Sequence, residues 1–304
     1  MSAKDLLSIF AMQGFNGLSN FCVLLLMALG LAIIFGQMGV INMAQGEFMT
    51  IGAYTTYVLS EISQRWAPWL HNSYFIIAMA VAFVVAAAVG WVVERFMVSK
   101  LYKRPLDTLL ATWGLSLIMQ QIFRSLFGAK EVSAVLPDWL MGSFKPTDSI
   151  DIPINGVMVM VVTALLTAGL FVLLFKTRVG VRIRATTQNR VIAGACGINT
   201  RKMDSWAFAA GCGLAGIAGA SFTTIGSTGP TSGSLYIVDT FLVVVFGGAQ
   251  SLIGTIASAF GIAQTQATTE FFLTGSTAKV LTLTAVVIIL MIRPQGLFAM
   301  RVRR

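Results

Sequence analysis

Charged side chains are scarce in this chain of 304 residues. Lys, Arg, Asp and Glu together make up 11% of the residues, whereas hydrophobic residues make up 56%. A soluble globular domain carries about 25% charged residues. The shortage excludes an ordinary soluble enzyme or soluble binding domain, and it indicates a chain that lies mostly in lipid.

Residues that support catalysis and metal binding are also few. The chain has one histidine, His71, and three cysteines that lie far apart, Cys22, Cys196 and Cys212. No phosphate-binding G-x-x-x-x-G-K-[ST] motif occurs. We therefore predict that the chain is not an enzyme, has no metal site or disulfide framework, and binds no cofactor of its own.

Long uncharged runs are what the sequence has instead. They cover residues 18–44, 72–93, 108–123, 152–175, 205–238 and 240–269. A helix that crosses the lipid core needs about 20 apolar residues. The runs predict an all-α polytopic membrane protein with about eight transmembrane helices, forming one transmembrane domain over residues 1–304. The first helix is expected to be retained rather than cleaved as a signal peptide.

The net charge of +9 is concentrated in three basic segments. They are residues 95–104, 176–202 and 293–304, and each of them flanks an apolar run. Short basic loops are typical of the cytoplasmic side of a membrane. The charge therefore indicates topology and not nucleic-acid binding. It predicts a cytoplasmic C-terminus and leaves the more acidic connector 128–153 outside.

This topology predicts a break in the C-terminal half. The apolar stretch 237–247 has eleven residues, which as a helix would reach only about 16 Å, or half a bilayer. We predict a half-helix from Asp239 to Phe246, a re-entrant break at 247–251, and a full helix that rises to Glu270. Non-helical backbone at membrane depth needs protein or a water-filled cavity beside it.

A second interruption lies near the N-terminus, at residues 39–47. The triplet Ala44-Gln45-Gly46 there is similar to Ala249-Gln250-Ser251 at the later break. Paired glycine-interrupted segments in the two halves of a transporter point to its translocation site. A true internal repeat and a chance similarity of three residues both remain open.

Polar, uncharged side chains lie in or near the apolar runs, where an unpaired amide is costly to bury. Asn42, Gln45, Gln120 and Gln250 are among them. They could hydrogen-bond between helices, or together line a path for a small polar solute. Glu47 follows the first break, where it could cap a helix N-terminus or take part in gating.

The basic loop 176–203 is the remaining candidate for function. Arg182 and Arg184 precede a short apolar helix that is predicted to end at glycine, near 191–199. Such a helix could lie on the membrane surface or dock into a groove of another protein. The arginines could also do no more than fix the topology.

Four segments of the chain match a known family in order. They are residues 39–47, 193–200, 246–254 and 294–296. The chain resembles the permeases of branched-chain amino acid ABC importers along almost its whole length. The block 106–116 is similar to the urea-transport branch, in particular to the first of its two permease subunits.

The resemblance implies a permease subunit of an ATP-driven importer in the bacterial cytoplasmic (inner) membrane, with urea as the expected solute. It also implies partners: a second homologous permease in a heterodimer, two cytoplasmic ATPases that hold ATP and magnesium, an extracytoplasmic solute-binding protein, and membrane lipid. The loop 176–203 would couple to the ATPases through Arg182, Arg184, Arg190, Ala193, Gly197, Ile198 and Asn199. The path would be lined by Asn42, Gln45, Glu47, Thr112, Gln120 and Gln250.

Alternatives to the urea importer differ in substrate or in class. A branched-chain amino acid would need a partner for its carboxylate, such as a helix N-terminus, and an apolar pocket. A stand-alone channel for small neutral solutes would need no ATPase. An ion-coupled carrier is disfavoured because buried charges are scarce in the runs.

Overall fold

A computed structural model describes residues 3–66, 72–102, 104–147, 150–248, 251–293 and 296. These residues are almost entirely helical. The α-helices are α1 (Ala3–Met38), α2 (Gln45–Trp66), α3 (Tyr74–Val93), α4 (Ser99–Leu101), α5 (Pro105–Phe127), α6 (Ile154–Lys176), α7 (Arg178–Gln188), α8 (Arg190–Ala195), α9 (Thr200–Phe222), α10 (Ser232–Gly247), α11 (Leu252–Phe272) and α12 (Gly275–Ile292).

Among the described residues, five helical segments are both long and apolar enough to cross a membrane. They lie in α1, α3 with its extension to Leu101, α6, α9 and α12. The helices α2, α5 and α11 have 22, 23 and 21 residues, which is enough length for a crossing at about 1.5 Å per residue. The predicted helical membrane protein is confirmed, while the number of about eight crossings stays a prediction.

Helix α9 occupies the centre of the molecule. Its most apolar stretch is 83% buried, and that of α1 is 72% buried, whereas those of α6 and α12 are each 17% buried. Glycine allows α9 to approach its neighbours closely: a Cβ built on Gly52 of α2 would lie 1.9 Å from the carbonyl oxygen of Gly216 in α9. Backbones that touch in this way are typical of helix packing in lipid.

The predicted break in the C-terminal half is present between α10 and α11. Helix α10 ends at Gly247, and Gly248 has a positive φ of 88°, which is accessible to glycine at little cost. Ser251 then accepts a hydrogen bond from the Gly254 N–H and caps α11. The half-helix is longer than predicted because it begins at Ser232 instead of Asp239. Gln250 lies outside the described residues, and an ending within the membrane stays a prediction.

The connector between α5 and α6 corrects the all-α prediction in one small element. The strands β1 (Ser143–Thr147) and β2 (Ile150–Pro153) pair antiparallel, with Phe144 opposite Ile152. An antiparallel pair needs only a short connection, so a hairpin can form within a single loop. A backbone bridge between Val132 and Thr228 joins this connector to the segment before α10.

Candidate functional site

The break before α2 is held in a fixed shape by its own amides. Gly39, with a φ of 65°, follows the end of α1. The side chain of Asn42 accepts a hydrogen bond from the Ala44 N–H at 3.1 Å and donates one to the Gln45 side chain at 3.2 Å. Gln45 in turn donates to the Gly211 carbonyl of α9 at 3.0 Å. The break is therefore tied to the central helix of the molecule.

Glu47 is a buried carboxylate in the first turn of α2. Its side chain is 1% exposed, and one oxygen, Oε1, accepts hydrogen bonds from Ser116 Oγ at 3.0 Å and from Gln120 Nε2 at 2.8 Å. The other oxygen, Oε2, is buried without a hydrogen-bond partner among the described residues. The carboxylate is thus directed to α5, and capping of its own helix is not the role that these contacts indicate.

One face of α5 supplies the partners of this break. Thr112, Ser116 and Gln120 recur every four residues and therefore lie on the same side of the helix. Thr112 Oγ1 accepts a hydrogen bond from the Met43 N–H at 3.1 Å. The polar cluster, as we call it below, consists of Asn42, Gln45, Glu47, Thr112, Ser116 and Gln120.

The structure thus brings together five of the six residues predicted to line a path. The sixth, Gln250, lies outside the described residues. Sequence reasoning missed Ser116, although its spacing of four residues from both Thr112 and Gln120 could have revealed it.

The predicted coupling loop contains two helices instead of one. Asn189 separates α7 from α8 and caps α8 by accepting hydrogen bonds from the N–H groups of Val191 and Ile192, each at 3.1 Å. After α8, Gly197 has a φ of 82°, and the Ile198 N–H donates to the Ala193 carbonyl at 3.1 Å. This is a Schellman ending, which explains why glycine follows the helix.

The remaining residues predicted for coupling divide into inward and outward groups. Ala193 is buried, whereas Arg182 and Arg184 are exposed, with the Arg184 guanidinium 5.2 Å from the centre of the Phe175 ring. Asn199 caps α9 by accepting a hydrogen bond from the Lys202 N–H at 3.0 Å. The side chain of Arg190, also predicted for coupling, contacts Asp204 and the Tyr102 ring of this chain.

Arg190 forms an ion pair with Asp204 at the start of α9. The side chain of Asp204 is fully buried, while that of Arg190 is 41% exposed. Gln37 at the end of α1 donates a hydrogen bond to the other carboxylate oxygen of Asp204, Oδ1, at 3.3 Å. One buried carboxylate therefore connects the short helix α8 with both α9 and α1.

A second buried carboxylate, Glu94, lies beside this pair. It begins a π-helix, Glu94–Val98, and accepts hydrogen bonds from Tyr102 at 3.0 Å and from Ser205. The guanidinium of Arg190 lies 5.1 Å from the centre of the Tyr102 ring. Burial and the adjacent Glu94 carboxylate raise the pKa of the Tyr102 phenol, which therefore remains a hydrogen-bond donor.

The sequence analysis singled out neither Glu94 nor Asp204, and it missed this arrangement. Their partners come from distant parts of the chain, and no local spacing marks them. Within the described residues, no three metal-binding side chains come together.

A family model described as the permease component of the branched-chain amino acid transport system matches residues 14–292. The chain belongs to this permease family. The permease is 25% identical over 297 residues to the high-affinity branched-chain amino acid transport system permease protein LivH of Salmonella typhimurium, with 95% of each chain covered. It is 26% identical to a probable LivH of Methanocaldococcus jannaschii, with 97% of the permease and 93% of that chain covered.

A third relative is the permease protein BraD of Pseudomonas aeruginosa, which is 26% identical and covers 83% of the permease, with 86% of BraD covered. No solved structure matches. As a member of this family, the permease is a transport component of an ABC importer rather than an enzyme. Membership in general implies partner ATPases and a solute-binding protein, and with the apolar helices it indicates a multi-pass protein of the inner membrane.

Proposed function

We propose that this chain is a permease subunit of an ATP-driven importer for branched-chain amino acids. The observation that carries the proposal is the family match over residues 14–292, together with relatives named for branched-chain amino acids that cover 95% of the chain. The urea prediction rested on block 106–116 and has no such support. In that block Leu106, Leu110 and Trp113 are exposed, so most of its large side chains point away from the polar cluster.

The polar cluster is the part of the chain that we place on the translocation path. Buried polar side chains are costly unless they are paired, and here five of them meet the half-buried Gln120 where α1 gives way to α2. Glu47 keeps one oxygen without a described partner. A site of this kind can exchange its internal hydrogen bonds for bonds to a solute when α5 and α2 separate.

We assign coupling to α7, α8 and the turn at Gly197. Val191 and Ile192 of α8 are 83% and 61% exposed in a loop rich in arginine, and they offer an apolar contact to an ATPase. Arg190 connects the same helix to Asp204 of α9. Closure of an ATPase pair would therefore move α8, and the ion pair would transmit that movement to the centre of the permease.

The working importer would contain a second, homologous permease in a heterodimer, two cytoplasmic ATPases that bind ATP and magnesium, and an extracytoplasmic binding protein. The basic C-terminal segment would lie in the cytoplasm.

Uptake of labelled leucine and labelled urea tests the substrate. In cells that lack only this chain, we expect leucine uptake at low concentration to fall to background and to return on complementation, with urea uptake unchanged. Loss of urea uptake alone would restore the urea prediction. Uptake of both solutes without change would contradict both.

Substitution of Gly197 tests the coupling loop. We expect Gly197→Trp to abolish leucine uptake while the protein stays inserted, because a bulky residue at a φ of 82° is strained and disrupts the turn that presents α8. The matched control is Gly197→Asn, since asparagine tolerates this backbone region far better. Membrane content of each variant is measured by immunoblot. Normal uptake by an inserted Gly197→Trp variant would remove the coupling role.

A further inference from the structure

One oxygen of the Glu47 carboxylate, Oε2, has no hydrogen-bond partner among the described residues. Both described partners of this carboxylate, Ser116 and Gln120, are neutral and bind the same oxygen, Oε1. None of the ion pairs among the described residues includes Glu47. An ionised carboxylate in a buried site is costly without a cation. A cationic group from outside this chain would therefore be stabilised at Oε2.

An apolar groove begins one helical turn away, between the same two helices. It has a volume of about 320 Å³, and its lining includes Ile51, Tyr54 and Val58 of α2, Val81 of α3, and Phe123 and Phe127 of α5. This volume falls within the range of about 300 to 1,000 Å³ that is typical of small-molecule sites.

Helical spacing relates the carboxylate to the groove. Ile51 lies four residues after Glu47 on α2, and Phe123 lies three residues after Gln120 on α5, so each pair shares a helix face. A negative group is thus followed along the α2–α5 interface by an aliphatic and an aromatic wall. A ligand that fits both parts has a cationic head and a short apolar tail.

We propose that Glu47 binds the α-ammonium group of the transported amino acid and that the groove at Ile51 and Phe123 receives its branched side chain. This inference rests on the proposed function and names the group in the path that distinguishes an amino acid from urea. Urea has neither a cationic head nor an apolar tail.

Access to Oε2 requires α5 to move. In the present conformation this oxygen is shielded from solvent, and Ser116 and Gln120 hold the carboxylate against α5. Separation of α5 from α2 would free the carboxylate and extend the groove to it. The site would therefore form during the transport cycle, as a path with alternating access requires.

Three variants of the complete importer, purified in detergent without nucleotide, test the assignment. Glu47→Gln is nearly isosteric and keeps an oxygen for Ser116 and Gln120, so we expect it to assemble. We expect its affinity for labelled leucine to fall roughly tenfold or more, as loss of a charge-assisted hydrogen bond predicts. The leucine affinity of Glu47→Asp should lie between that of wild type and that of Glu47→Gln. The control Glu61→Gln, at a partly exposed glutamate of α2 paired with Arg65, should bind as wild type does.

Two leucine analogues separate an ammonium site from a merely structural carboxylate. 3-Methylbutylamine keeps the amine and the branched tail, and 4-methylpentanoate keeps the carboxylate and the tail. We expect the amine to displace labelled leucine from wild type but not from Glu47→Gln. The acid should displace labelled leucine poorly from both proteins.

Leucine affinity that is unchanged in Glu47→Gln, or an acid that competes as well as the amine, would overturn the assignment while leaving leucine transport intact. If wild-type importer in proteoliposomes, with its binding protein and ATP, transported no branched-chain amino acid, the proposed function itself would fail. The two failures are therefore distinguishable.

Discussion

Gly52→Leu is expected to remove nearly all folded permease from the membrane. A Cβ at this position would lie 1.9 Å from the Gly216 carbonyl oxygen and 2.6 Å from the Gly216 carbonyl carbon. These are backbone atoms that cannot rotate away, so α2 would have to separate from α9. Overpacking of an ordinary core costs about 1 to 3 kcal/mol, and displacement of a whole helix from the centre should cost more.

The matched control for this change is Gly169→Leu. Gly169 lies in α6, and a Cβ there would meet nothing within 4 Å. The amount of protein in the membrane fraction and the aggregation temperature in detergent are measured for both variants. A Gly52→Leu permease with the yield and thermal stability of Gly169→Leu would mean that α2 and α9 do not pack as described.

The second large effect is expected from Arg190→Ala. This change leaves the fully buried carboxylate of Asp204 without its cation. Removal of one partner of a buried ion pair is strongly destabilising, on the order of 3 kcal/mol, because the remaining charge is neither hydrated nor neutralised. We expect a lower aggregation temperature and a loss of transport-coupled ATP hydrolysis.

A double variant distinguishes the pair from a general effect of the loop. Adding Asp204→Asn to Arg190→Ala removes the unpaired charge and should recover much of the lost stability, although coupling should remain impaired. Arg184→Ala provides the control, since the exposed Arg184 contacts only the Phe175 ring among the interactions described. If Arg190→Ala were as stable as Arg184→Ala, the ion pair would not stabilise the junction of α8 and α9.

The class of protein could be predicted from the sequence because it depends only on the composition and on the pattern of uncharged runs and basic segments. Uncharged apolar runs of about 20 residues are typical of helices that cross the lipid core, and basic loops between them indicate orientation. Both breaks were also predictable, since glycine interrupts an apolar run at 39–47 and at 247–251. The start of α10 at Ser232 was not, because the apolar pattern does not mark where that helix begins.

The substrate illustrates a different limit. Block 106–116 pointed to urea, but Trp113 in it is 55% exposed and faces away from the polar cluster. A matching motif shows that a segment is similar to a family, but it does not show which of its side chains contact the solute. The family match over residues 14–292, with relatives that cover 95% of the chain, favours branched-chain amino acids instead.

The sequence alone determined that the chain is a helical membrane permease with two interrupted helices and a basic loop between its apolar runs. Tertiary structure decided how its few polar groups combine. Glu47 meets Gln120 across 73 positions of the chain, and Glu94 meets Ser205 across 111. Tertiary packing determines which residue becomes the partner of a buried charge, and no local sequence pattern encodes the position of that partner. For this reason the membrane segments could be recognised one by one, while the contacts that define the site could not.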